Sequence, residues 1–146
     1  MYTQLFLVRH ADYEEGSDPH LSDTGRQQSL RLAEKIKAGF NGIPENITIW
    51  SSSANRAKGT AEIIKQEMQL AKMVIEEKLW SDNRHPDDFN WLLEKLKAFE
   101  GDVLIIVSHL EYVRYFPRIL NFPSNNAGYA EGVKIQNGIC TDFSWK

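Results

Sequence analysis

Leu5-Phe6-Leu7-Val8-Arg9-His10 is the stretch from which the rest of the chain is read, an apolar run that ends abruptly in a guanidinium and an imidazole. Short continuous aliphatic runs suit strands covered on both faces, as in parallel sheets. Val103-Leu104-Ile105-Ile106-Val107 repeats the arrangement about a hundred residues later and runs into Ser108-His109. In open α/β sheets the ligand crevice lies outside the carboxyl ends of the strands. His10 and His109, each at such an end, are therefore expected in one crevice. A lone histidine there would more often be a strand cap bonded to backbone. Arg9-His10 together with His109 point instead to an anion, because cations at the edge of a core are costly unless something negative pairs with them.

Between these runs the chain alternates. Ala11 to Pro19 is polar and rich in turn formers, a loop that leaves the first strand and folds over its end. Ser22 or Asp23 offers an N-cap to a helix from about Thr24 to Ala38, with Leu30, Ala33, Ile36 and Lys37 at helical spacing and Gly39 and Gly42 beyond it. Ile47-Thr48-Ile49-Trp50 reads as a strand. Ser51-Ser52-Ser53 then turns and caps a helix from about Asn55 to Met68, which carries Arg56 in its first turn. A helix N-terminus already favours an anion, so an arginine there either looks outward for one or is a solvated surface residue.

Met73 to Glu76 reads as a further short strand. Pro86 suits the first position of a helix whose Phe89, Leu92, Leu93, Leu96 and Phe99 form an apolar stripe. Leu110 to Leu120 reads as a helix cut by Pro117, with Tyr112, Tyr115 and Phe116 expected in the core. Asn137-Gly138 between two alternating segments is a hairpin signal. This order implies an α/β fold, a three-layer αβα sandwich with a mainly parallel central sheet, spanning residues 1–146 as one domain.

The chain has 146 residues, enough to bury a core without staples. Its single cysteine, Cys140, forms no intrachain disulfide and reads as a small buried apolar residue near the last strand. The net charge of -3 argues against a nucleic-acid binder with a broad basic face. No segment has the pattern of a signal peptide or the length of a membrane span, so the expectation is a cytoplasmic protein without membrane association.

Four segments taken together resemble one family. Leu7-Val8-Arg9-His10-Ala11 is similar to the Arg-His-Gly/Ala signature of the histidine phosphatase superfamily, also called phosphoglycerate mutase-like. Leu21 to Gln28 resembles its Leu-Thr-x-x-Gly-x-x-Gln segment, and Ser52 to Ala61 its Ser-Ser-Pro-x-x-Arg-Ala-x-Gln-Thr-Ala segment. Val107-Ser108-His109 resembles its second histidine motif. The resemblance implies a phosphoglycerate mutase-like fold and His10 as a nucleophile that forms a phosphohistidine, with Arg9, Arg56 and His109 around the phosphoryl oxygens. It implies neither a metal nor another cofactor.

The sequence departs from the family pattern at several points. Ser53 stands in place of proline and Gly59 in place of glutamine, and His20 precedes Leu21 where some members bind phosphate. His20 is thus either a further phosphate contact or an exposed loop residue. The family's general acid, a glutamate after the third strand, has no direct counterpart; Asp82 is the nearest carboxylate in register, with Glu77 behind it. In size, and from Ser108 to Val113, the chain resembles small bacterial phosphohistidine phosphatases. The expected substrate is a phosphorylated protein or a small phosphorylated metabolite. A phosphoglycerate mutase-like enzyme and a non-catalytic phosphate-binding module are the alternatives.

Overall fold

The computed structural model describes residues 2–42, 46–80 and 89–146. Among these the chain forms β1 (Gln4–Arg9), α1 (Asp23–Ala38), β2 (Ile47–Ser51), α2 (Asn55–Glu67), β3 (Val74–Ile75), a single 3₁₀ turn (Glu77–Leu79), α3 (Asn90–Ala98), β4 (Val103–Ser108), α4 (Leu110–Ile119), β5 (Glu131–Gln136) and β6 (Ile139–Ser144). The strands make one sheet in the order β3-β2-β4-β1-β5-β6. β1, β2, β3 and β4 run parallel, and β5 and β6 add an antiparallel hairpin. At the hairpin turn Asn137 and Gly138 both have positive φ, 54° and 74°, which is what a two-residue turn matched to the strand twist requires.

Strand pleating sorts the core into two halves. Phe6 and Val8 of β1 and Ile105 and Val107 of β4 face Leu32, Ala33 and Ile36 of α1 and Ala57, Ala61 and Ile64 of α2. Leu5, Leu7, Leu104 and Ile106 face Leu92 and Leu96 of α3 and Tyr112, Val113 and Phe116 of α4. Both faces of the central strands are covered, which is why they read as continuous apolar runs rather than alternating ones. The layers are therefore helix, sheet, helix.

Register fixes where the chemistry lies. Arg9 pairs with Ser108 across β1 and β4, so His10 and His109 leave adjacent strands side by side. Ser51 of β2 pairs with Val107, which brings Ser52 and the start of α2 to the same end of the sheet. The loop after His10 is pressed onto α1: a Cβ at Gly25 would stand 1.9 Å from the Asp12 carbonyl oxygen, so only glycine permits that approach. Ser22 caps α1 by accepting the Gly25 N–H at 3.0 Å.

Several local expectations are corrected. Leu30 is exposed, and α1 instead buries Gln28, Ser29, Leu32, Ala33 and Ile36, because its inner stripe lies one position round from the one Leu30 suggested. The third strand shrinks to Val74–Ile75 at the exposed edge of the sheet. Pro117 does not cut α4. A proline removes the N–H that would bond the carbonyl four residues back, and the Asn125 side chain donates to that Val113 carbonyl instead, at 2.7 Å. Cys140 lies in β6 only partly buried. Tyr112 and Phe116 are fully buried and Tyr115 half-buried. Pro86 and Asp82 lie outside the described residues.

Candidate active site

Arg9, His10, Arg56 and His109 converge at the carboxyl ends of β1 and β4. His10 is held at both backbone groups: its N–H donates to the Ser108 carbonyl at 3.0 Å and its carbonyl accepts from Ala130 N–H at 3.1 Å. The next residue is fixed as well. Ala11 N–H donates to Thr60 Oγ1 at 3.0 Å, and that hydroxyl donates to the Arg56 carbonyl at 2.9 Å, tying the loop after His10 to the first turn of α2.

Arg56 bridges the two imidazoles, with Nε 3.3 Å from His10 Nε2 and Nη2 3.3 Å from His109 Nδ1. A guanidinium only donates, so both of those ring nitrogens must be acceptors. That settles the tautomers. His10 carries its proton on Nδ1 and gives it to the Ala11 carbonyl at 2.9 Å, leaving the Nε2 lone pair facing the crevice. His109 carries its proton on Nε2 and gives it to Ser52 Oγ at 2.9 Å, and Ser52 Oγ is fixed in turn by Ala54 N–H at 3.2 Å.

Both histidines are 3% exposed. Burial is the main cause that lowers His10 to a pKa of about 3, with Arg56 and Arg9 adding to it against the Ala11 hydrogen bond and Asp12. His109 is likewise lowered to about 3, by burial first and then by His10, Arg56 and Arg9. Without an anion the site therefore holds two neutral imidazoles and two guanidiniums.

Neither guanidinium has a carboxylate partner among the described residues. They lie over rings instead: Arg9 is 4.3 Å from the Tyr129 ring centre, and Arg56 is 5.2 Å from that of Tyr13 and 5.7 Å from that of Trp80. Arg9 Nη1 donates to the Ala127 carbonyl at 3.4 Å, while its Nε is buried with no partner among the described residues. Cations stacked on aromatic faces keep their donors free for an oxyanion. The rings enclose the imidazoles too, with Tyr13 5.3 Å and Tyr129 6.0 Å from His10 and Trp80 stacked on His109 at 6.2 Å.

Of the other expected residues, His20 and Glu77 do not join this cluster, and Asp82 lies outside the described residues. His20 is exposed and borders a shallow groove with Arg26, Asn55 and Gly59, and none of its described contacts reaches His10 or His109. Glu77 is exposed in the 3₁₀ turn. Gly59 has a packing reason, since a Cβ there would stand 3.0 Å from Leu21 Cγ. Tyr13, Tyr129 and Trp80 carry no role in the sequence reading, and Ser52 is there only part of a turn and cap. The signal for Tyr13 was a large aromatic inside an acidic, turn-rich loop.

The family model of the histidine phosphatase superfamily (branch 1) matches residues 5–80. The chain belongs to the histidine phosphatase superfamily. Among solved structures, the protein histidine phosphatase SixA complexed with tungstate superposes with a TM-score of 0.78 at 20% identity, covering 97% of each chain. A phosphoserine phosphatase mutant from Entamoeba histolytica, in complex with phosphoserine, gives 0.69 at 16% identity over 97% of this chain and 95% of that one. A phosphoglycerate mutase from Bacillus anthracis gives 0.69 at 15% identity over 97% and 92%. At such identities the structural likeness establishes the fold, while superfamily membership supports a phosphatase and leaves its substrate open. No curated protein sequence matches the chain. Among the described residues no helix is long and apolar enough to cross a membrane, and no group of three or more His, Cys, Asp or Glu side chains is placed to hold a metal ion.

Proposed function

We propose that this superfamily member hydrolyses phosphorylated substrates through a phosphohistidine on His10, without a metal, and that its substrate is phosphohistidine on another protein. The observation that carries the reading is the pair of guanidiniums beside His10, Arg56 donating to His10 Nε2 and Arg9 with a buried, unpartnered Nε, neither with a carboxylate partner among the described residues. Half-buried cations without a carboxylate partner favour the arrival of an anion.

In the first step the His10 Nε2 lone pair attacks phosphorus as the bond from phosphorus to the leaving atom breaks, and the electron pair departs with that atom. Arg56 Nε–H leaves Nε2 for a phosphoryl oxygen, and Arg9 Nε–H meets another. The Nδ1–H bond to the Ala11 carbonyl stabilises the ring as Nε2 becomes substituted. Water then attacks phosphorus in line, orthophosphate leaves and the pair returns to Nε2. Arg9, Arg56 and a His109 protonated in the complex balance the charge on the equatorial oxygens.

Two observations support the substrate class. The likeness to the protein histidine phosphatase runs end to end and has a TM-score of 0.78, against 0.69 for the phosphoserine phosphatase and the phosphoglycerate mutase. The rim of Tyr13, Trp80 and Tyr129 offers ring faces to a flat leaving group such as imidazole. Imidazole also leaves more readily than an alkoxide, so it depends less on a general acid. Asp82, two residues after Trp80 in sequence, is the carboxylate assigned to that acid role by register.

The test is turnover of a phosphohistidine peptide, an aryl phosphate and alkyl phosphates with EDTA present, by the parent and by His10→Ala and Asp82→Asn proteins. The expected result is activity on the first two, loss with His10→Ala and little change with Asp82→Asn. Hydrolysis by His10→Ala at the parent's rate refutes the mechanism. Strong alkyl-phosphate turnover that Asp82→Asn abolishes moves the substrate to a small phosphomonoester.

A further inference from the structure

We infer that Asn125, on the segment joining α4 to β5, is a positioning residue for Arg9; this rests on the phosphate-site reading given above. The chain of contacts begins at Pro117, whose missing N–H frees the Val113 carbonyl inside α4. Asn125 Nδ2 donates to that carbonyl at 2.7 Å, its Oδ1 accepts Ala127 N–H at 3.1 Å, and its own carbonyl accepts Arg114 Nε–H at 3.3 Å. The Nδ2 and the carbonyl thus tie the segment to the helix that begins directly after His109, and Oδ1 fixes Ala127 within it.

What the clamp fixes is the wall of the site. The Ala127 carbonyl accepts Arg9 Nη1, Tyr129 lies under the same guanidinium, and Ala130 N–H closes on the His10 carbonyl. At 3.4 Å the bond from Arg9 to Ala127 is long, so the direction of Arg9 depends on where that carbonyl is held. Ala127 is buried in the half of the core that faces α4, so the segment packs on its inner side. The outer face of the segment borders an open cavity of about 400 Å³ lined by Pro123, Ser124, Asn126 and Phe143. On the inner side the tether is Asn125, which also satisfies the carbonyl freed by the proline, while Glu131 Oε1 holds the residue after Ala127 by accepting Gly128 N–H at 2.9 Å. Arg9 Nε, buried and without a partner among the described residues, is the donor that this arrangement points at phosphate.

The structural and positioning roles of Asn125 separate cleanly. Pro117→Ala restores a backbone N–H at position 117, which satisfies the Val113 carbonyl without restoring the tether to Ala127. The experiment compares the parent, Asn125→Ala, Pro117→Ala with Asn125→Ala, Arg9→Ala, and Arg9→Ala with Asn125→Ala. The readouts are thermal midpoint, tungstate affinity by calorimetry, and kcat/KM on an aryl phosphate. Asn125→Ala should weaken tungstate roughly tenfold and lower kcat/KM by roughly 10- to 100-fold, the scale of a small displacement of a contact group. Adding Pro117→Ala should return the midpoint but not the affinity, and Asn125→Ala should cost little once Arg9 is already alanine. Parental tungstate affinity in folded Asn125→Ala protein, or affinity returning together with the midpoint, overturns the inference. Weakened tungstate in the Asn125 and Arg9 variants of a parent that turns over no phosphate sustains the positioning role and refutes the phosphatase. A parent that binds no tungstate overturns both.

Discussion

Binding of a doubly charged tetrahedral anion should draw about one proton onto His109. In the free protein His109 has a pKa of about 3 and is neutral at pH 7. Protonating it there means raising the pKa by about 4 units, a deficit of ~5.4 kcal/mol at ~1.36 kcal/mol per unit. A dianion centred ~4 Å from the imidazolium contributes ~8 kcal/mol at an effective dielectric of ~20, and a monoanion about half of that. The dianion exceeds the deficit and the monoanion does not. Titration calorimetry with tungstate in buffers of different ionisation enthalpy should therefore show uptake of about one proton, and affinity rising close to tenfold for each pH unit lowered from about 9 to about 7. Perrhenate, its singly charged counterpart, should show neither effect. His109→Gln should abolish the uptake and His10→Ala should keep it, because His10 presents a lone pair to the ligand and its proton already lies on the far nitrogen. Zero uptake with tungstate in the parent would refute the assignment of a charged His109 to the complex.

Two further outcomes follow from the resting site. His10 and His109 both have folded pKa values of about 3, below the ordinary histidine value of 6.5, so the unfolded chain binds more protons between those limits. Stability is fully present above about pH 6.5 and should fall as pH drops toward about 3, with a slope approaching ~1.4 kcal/mol per pH unit for each histidine. Urea unfolding at several pH values should show a shallower slope in His10→Gln, and equal slopes in variant and parent would contradict the burial account. Gly25→Ala places a Cβ 1.9 Å from the Asp12 carbonyl oxygen, and the overpacking should cost roughly 1–3 kcal/mol or more. Urea titration checks it, and an unchanged midpoint would show that the loop after His10 is free to move away.

The sheet and its chemistry were legible because the same residues encode both. Leu5 to Val8 and Leu104 to Val107 are buried on both faces and so lack alternation, and their polar ends, Arg9-His10 and Ser108-His109, fall in register across one parallel pair. Asn137-Gly138 announced its turn because few residue pairs take positive φ twice. What the sequence concealed depends on long-range neighbours. Pro117 reads as a helix stop until Asn125 is seen bonded to the Val113 carbonyl. Leu30 fits a helical stripe as well as Leu32 does, and only the sheet beneath decides which is buried. Tyr13, Trp80 and Tyr129 come from separate connections and share no motif, yet together they hold the two guanidiniums. Ser52 stood inside a recognised segment, but its partnership with His109 follows from the register of β2 on β4.

The central claim is covalent chemistry at His10, and the most direct measurement is to trap it. The protein is mixed with a phosphohistidine peptide or an aryl phosphate, quenched with base within the first turnover, digested and read by mass spectrometry under conditions that preserve P–N bonds. The account predicts one added phosphoryl group on the peptide carrying His10, lost on brief acid treatment and missing from His10→Ala protein. Turnover by the parent with no adduct on His10 at any quench time, or an adduct on His109 in its place, would contradict it.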